Sequence, residues 1–366
     1  MTASSSSAPF AAAVDQALLH ALLDEAAAGD PEYGSGLSNH LPMALVALAR
    51  LGAGEARLRE FGARYASARK LVPARPRGHW PAGDAWQGRL GQRASWPLYL
   101  DLFEQWLAHE GAADTLAQVL PGLMPGVGAA AFHGLIRTAA GVRAGHAGEI
   151  AQGLAHWAAW HLPLGPMAPP AGAGGRAQAD PALLLRRLRA GASSAGLIAS
   201  RMKAAAASGE VNAVAARLVI DERTPERLAR AAAFAYAESG NFTALHLVTG
   251  THAMRVLARF AEEGEERLAV WRWFWQAFAH GVVAARLTPA AAPLLLRQWP
   301  ALVDAAQASD DEHVVKLVEA ARDEEAHWGG DDWRRAASRA VMRGDASPAR
   351  PRAPSTRVNE AATGLC

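Results

Sequence analysis

The 366-residue chain has a single cysteine, and that residue, Cys366, is its last. This excludes an internal disulfide framework and a thiolate metal cluster. No apolar run reaches the roughly 18 residues that a membrane span needs, so no membrane partner is expected. Residues 1–8 are Ser-rich and carry no basic stretch, so a secretion signal is not expected and the cytoplasm is the default setting. Neither sign of charge is in large excess. The formal net charge is +2, and the pI near 8.9 reflects scattered arginines, so nucleic acid is not an expected partner. Alternation of apolar and polar residues is absent, which argues against sheet. There is no HExxH helix, no pair of Glu-x-x-His motifs and no serine in a nucleophile elbow. The glycine-rich stretch 165–175 is broken by proline and follows no expected strand, so it cannot cradle a dinucleotide pyrophosphate.

What is present is an apolar, alanine-rich chain, with 51% hydrophobic residues. That is enough for a sizeable core and favours helix with close helix–helix approach. The class is all-α, a multi-helix array. One helical domain is expected over 10–343, with a Pro/Gly-rich surface excursion at 163–180 and disordered tails at 1–9 and 344–366. Helical spacing and turn signals place helices at 10–28, from Pro42 to before Gly52, and at 55–71, 98–109, 115–120, 128–142 and 146–162. Further helices are expected at 181–189, 197–208, 211–219, 224–236, 242–255, 266–286, 309–326 and 331–343. Residues 72–97 are rich in Pro, Gly and Trp and read as a long irregular segment. Ser38 or Asn39 can cap the helix that contains Pro42. Ser309 and Glu312 form a capping box, with Asp310 and Asp311 in the first turn. On that helix His313 and Lys316 share a face with Leu317. A lysine pointed at a core needs a partner or a changed charge state; a lysine whose stem covers apolar neighbours while its head stays in water does not.

The thirteen histidines divide by context. His20, His79, His109, His280 and His327 lie in polar or edge positions and are expected to be ordinary. His146, His156 and His161 have spacings that fix no common face, and their aromatic neighbours suggest packing. His40, His133, His246 and His313 stand among apolar or small residues on expected helices. Singly, each reads as a core histidine. Together, four helices that each present an imidazole inward can assemble a metal site in a bundle core, and imidazole suits Fe, Zn, Cu or Ni. His252 follows His246 by six residues, about 240° around an ideal helix, so one straight helix cannot aim both at one ion.

The segments His40-Leu41-Pro42-Met43-Ala44-Leu45, Phe132-His133-Gly134-Leu135-Ile136-Arg137, Leu245-His246-Leu247-Val248-Thr249-Gly250 and Asp310-Asp311-Glu312-His313-Val314-Val315-Lys316, in this order, resemble the questin oxidase-like family over roughly residues 10 to 340. The resemblance implies an oxygenase that opens anthraquinone-type rings, by ring cleavage or Baeyer–Villiger-type oxidation, with O2 and an aromatic small molecule as partners. It implies a non-haem Fe(II) held by His40, His133, His246, His313 and a side-chain-carboxylated Lys316, with a reductant such as NADPH as electron donor. His252 falls where fungal members carry a non-ligand residue. Arg137 stands where fungal members tend to have a histidine and is the candidate catalytic residue; Ala140 replaces a common aromatic. Both departures resemble a bacterial branch. A protonated ammonium has no lone pair, whereas a neutral lysine can add CO2 and become an anionic oxygen ligand. The Trp-rich segments 80–96 and 271–275 can line a flat aromatic pocket or pack the core. A zinc-dependent hydrolase or lyase at the same residues, and a helical scaffold without catalysis, are the competing readings.

Overall fold

The computed structural model describes residues 15–167, 177–191, 195–290 and 292–346. Its elements, in chain order, are α1 (Gln16–Ala26), the short strands β1 (Glu32–Tyr33) and β2 (Leu37–Ser38), α2 (Leu41–Arg50), α3 (Glu55–Arg69), α4 (Trp96–Leu123), α5 (His133–Ala144), α6 (Ala147–Ala159), α7 (Pro181–Leu185), α8 (Ile198–Ala206), α9 (Glu210–Ala215), α10 (Thr224–Ser239), α11 (Phe242–Ala258), α12 (Glu265–Ala285), α13 (Trp299–Ala308), α14 (Glu312–Trp328) and α15 (Asp332–Ala346). The class is all-α, as expected. No helix among the described residues is long and apolar enough to cross a membrane. The expected tails at 1–9 and from 347 onward, the helix residues 10–14 and residues 168–176 of the 163–180 excursion lie outside the described residues.

Four helices form the frame that matters for the site. α2 packs on α5 and α14, and α11 packs on the same two, which closes a ring of four neighbours. α6 backs α5 at unusually short range. A methyl added at Gly134 would lie 2.5 Å from the Cα of Trp157, and one at Gly153 would lie 2.4 Å from the backbone nitrogen of Thr138. Only hydrogen at these positions lets the two helices approach so closely. Helices on both sides of the 163–180 segment share one apolar core.

The structure corrects several local expectations. Residues 98–109 and 115–120 belong to one helical run, α4, interrupted by Gly111 at φ 81°. α13 was not expected. Gly34 and Gly36, both at positive φ, fold β2 back on β1 as an antiparallel pair, too short to leave a period in the sequence. Residues 128–132 are not α-helical: Ala130, Ala131 and Phe132 all have positive φ, at 45°, 59° and 69°. α15 continues to Ala346, past the expected end at 343. The cap of α14 is Asp311, whose Oδ1 accepts from the His313 N–H at 2.8 Å, while Ser309 Oγ accepts from Asp311 N–H. Glu312 is not free to complete a capping box, because it is buried and held by Arg69 at 2.7 Å.

Candidate metal centre

Each of the four frame helices carries one histidine at its N-terminal end: His40 at the N-cap of α2, His133 at the start of α5, His246 in the second turn of α11 and His313 in the first turn of α14. Their rings touch in a closed circuit. Centroids are 4.5 Å apart for His40–His133, 5.0 Å for His133–His246, 5.7 Å for His246–His313 and 4.7 Å for His40–His313.

Local chemistry aims each ring. Asn39, not His40, caps α2 by accepting from the Leu41 N–H, and Tyr65 Oη accepts from the His40 N–H at 2.9 Å. This leaves the His40 imidazole free, and its buried Nδ1 has no hydrogen-bond partner. His133 Nδ1 donates to the Ala130 carbonyl, which the left-handed turn swings into reach. His246 Nδ1 donates to the Phe242 carbonyl at 2.8 Å, and His313 Nδ1 to Asp311 Oδ1 at 3.2 Å. A donated Nδ1–H fixes the tautomer that leaves a lone pair on Nε2, the usual support behind a ligating imidazole. The Nε2 atoms of His133 and His313 are buried without any partner.

Burial holds the pKa of His40 and His133 well below the usual histidine range, and it pushes His246 down to about 3, aided by the charges of neighbouring imidazoles and Lys316. These rings are neutral at ordinary pH. Burial opposes ionisation of Asp311, but its bonds with His313 hold it down at about 2. Lys316 is 5% exposed, and burial pushes it down to about 8 against the opposing pull of Glu312 and Asp311. Its charge is felt at His40, His133 and His246, but it lines a small void with Met43, Ile136, His252 and Glu319 rather than the cleft. Glu312 lies 3.7 Å from His40 Nδ1 and 3.6 Å from His313 Nδ1, a carboxylate that sequence reasoning saw only as a cap.

The four imidazoles form the floor of a cleft of about 1550 Å³. Tyr33, Tyr65, Trp160 and Phe242 are among its walls. The expected tryptophans are elsewhere: Trp86, Trp96, Trp271 and Trp275 are buried in the core and do not line it. Arg137 does not line the cleft either. It is 1% exposed and clamped to Glu149 of α6 through Nε at 2.6 Å and Nη2 at 3.0 Å. His280, expected at an edge, is fully buried, with Nδ1 2.8 Å from the Gln276 carbonyl.

His252 points away from the ring, as the helical angle requires. Its Nε2 meets Asp323 Oδ2 at 3.0 Å. His252, Asp323 and Glu324 lie close enough to hold an ion. Their carboxylates are already neutralised, however, by Arg143 and Arg255, with Arg50 completing the network on Glu319.

Fold and site together define an all-α protein whose helix N-termini present a ring of imidazoles to a substrate-sized cleft. The chain belongs to the questin oxidase-like family, whose model matches residues 37–321. No curated protein matches it. Membership implies oxidase-type chemistry on a small molecule.

Proposed function

We propose that this chain is a non-haem iron-dependent oxygenase acting on a polycyclic aromatic or quinone by ring cleavage or Baeyer–Villiger-type oxidation. The observation that carries this reading is the set of buried, unpartnered imidazole nitrogens at the floor of the cleft. A buried polar atom without a partner is costly, and three on touching imidazole rings fit a cation ligated there. His40, His133, His246 and His313 would hold Fe(II), with Lys316 as the fifth ligand. The Lys316 amine, when neutral, attacks the carbon of CO2, loses a proton to a base and becomes a carbamate. Its single negative charge then offsets part of the metal's charge in a site otherwise built from neutral ligands. Fe(II) bound there supplies the one-electron chemistry that O2 needs, with a reductant such as NADPH delivered from outside.

The protein's own share is positioning and exclusion of water. The Nδ1 bonds to Ala130, Phe242 and Asp311 keep three rings in register, and the aromatic walls of the cleft can hold a planar substrate over them. The cleft exceeds the roughly 300–1,000 Å³ of common ligand pockets, so a three-ring substrate has room.

Elemental analysis and visible spectroscopy with NO, on protein made without a metal-affinity tag, test the reading. About one iron per chain with a ligand-field change on NO supports it. Stoichiometric colourless zinc points instead to a hydrolase or lyase, and the absence of any transition metal points to a scaffold.

A further inference from the structure

The charges lining the cleft are almost all matched. Glu32 pairs with Arg93, Asp310 with Arg64 and Arg57, Glu312 with Arg69, and Asp345 with Arg297. Asp311 is occupied by His313. Arg201 of α8 is the exception: it lines the cleft and has no carboxylate partner among the described residues. Nη1 donates to the Ala284 carbonyl at 2.8 Å and Nη2 to Thr243 Oγ1 at 3.1 Å. These bonds fix the guanidinium without neutralising it, and its Nε finds no acceptor. Burial, and next the charge of nearby Arg286, make its positive form harder to hold. Thr243 and His246 are three residues apart on α11 and so share a face. The charge of Arg201 is accordingly felt at His246. Four helix N-termini already bias this region toward negative charge.

We propose that Arg201 is the anion anchor of the cleft, binding a carboxylate or phenolate on the planar substrate about one helical turn from His246. This rests on the cleft being the substrate site, as proposed above, and it narrows the substrate to an anionic aromatic. An arginine offers a planar fork to such a group, and a charge-assisted hydrogen bond fixes orientation as well as affinity. Held at that edge, the ring system would lie across the imidazole floor in one direction only.

The test compares anthraquinone-2-carboxylate with its neutral carboxamide in equilibrium binding, followed by fluorescence quenching, on the full chain as purified. The carboxylate is expected to bind at least about tenfold tighter, and added salt should erode only that difference. Arg201→Gln should weaken carboxylate binding by about ten- to a hundredfold and leave the carboxamide within about twofold, with Arg201→Lys in between. The salt dependence of the wild type needs no variant, so it stands even if Arg201→Gln folds poorly. Equal affinity for the two probes, binding of neither, or equal loss of both in Arg201→Gln overturns the proposal. Iron content and O2 uptake are measured on the same samples. A protein without iron that still discriminates keeps the anchor and removes the oxygenase; an iron protein with O2 uptake that does not discriminate does the reverse.

Discussion

At the scale of single residues, Lys316 is the side chain whose behaviour most separates the possible chemistries. It is buried one helical turn from His313, and with a pKa of about 8 only about one amine in ten is neutral at pH 7. The neutral fraction rises as pH climbs through 8, so bicarbonate-stimulated iron loading should rise over the same window and flatten above it. Lys316→Arg keeps the charge but cannot form a carbamate. It should lose iron about as severely as Lys316→Ala, by roughly tenfold or more, and acetate or formate should partly restore Lys316→Ala. A Lys316→Arg protein with wild-type iron and O2 consumption would show that the lysine is no ligand. The relation of Lys316 to His313 was legible in the sequence, because residues three apart share a helix face. Arg137 shows the opposite case. Its partner Glu149 lies on a helix whose packing against α5 depends on glycines, and no spacing in the sequence reveals that the ion pair draws the guanidinium away from the cleft.

At the scale of elements, the left-handed turn Ala130–Phe132 ahead of α5 is the costly piece. Left-handed conformation costs roughly 1–2 kcal/mol for each non-glycine residue, and here three stand in series. Such strain persists where the surroundings hold it and is commonly found at functional sites. In this turn it delivers the Ala130 carbonyl to His133 Nδ1. Ala131→Gly should therefore raise the melting temperature of chelated protein by a few degrees, since glycine removes the steric penalty. It should also weaken iron binding several-fold, because His133 is then held less rigidly. Thermal melts with and without chelator, with iron titrations, decide it; a drop in both quantities would mean that the turn is not strained. Ala-Ala-Phe carries no left-handed signal, which is why this turn was illegible while the long helices around it were not. α2, α11 and α14 announce themselves through Pro42, Asn241 and the acidic run at Asp310 and Asp311. The four histidines could be singled out because each sits in an otherwise apolar or small-residue stretch. Arg201 and Tyr65 could not, since an arginine or tyrosine in an amphipathic helix has many ordinary uses.

At the scale of the whole molecule, the four frame helices run in the same sense. Each has its histidine near the N-terminus and a charged residue nine or ten positions later: Arg50, Arg143, Arg255 and Asp323. At 1.5 Å per residue these charges form a second layer about 15 Å below the imidazoles. There Glu319, Asp323 and Glu324 of α14 bind Arg50, Arg143 and Arg255 from the other three helices. Parallel helices concentrate like dipole ends at each layer. The guanidiniums sit where helix C-termini favour positive charge, and the opposite layer gathers four N-termini around the imidazole rings. The bundle is thus tied at one end by ion pairs and, on the proposed reading, at the other by a metal held between the rings. The two ends should fail separately. Arg143→Met leaves buried Glu319 with only the partly exposed Arg50 and should destabilise chelated protein by about 1–3 kcal/mol, while iron still binds at the wild-type stoichiometry. His246→Ala should lose most of the iron yet unfold, when chelated, close to the wild-type denaturant midpoint. Chelation should lower the melting temperature of wild type and of Arg143→Met, and leave His246→Ala nearly unmoved. Denaturant titrations with and without chelator read both layers at once. If Arg143→Met lost iron in proportion to stability, the two layers would be one cooperative unit and would not fail separately.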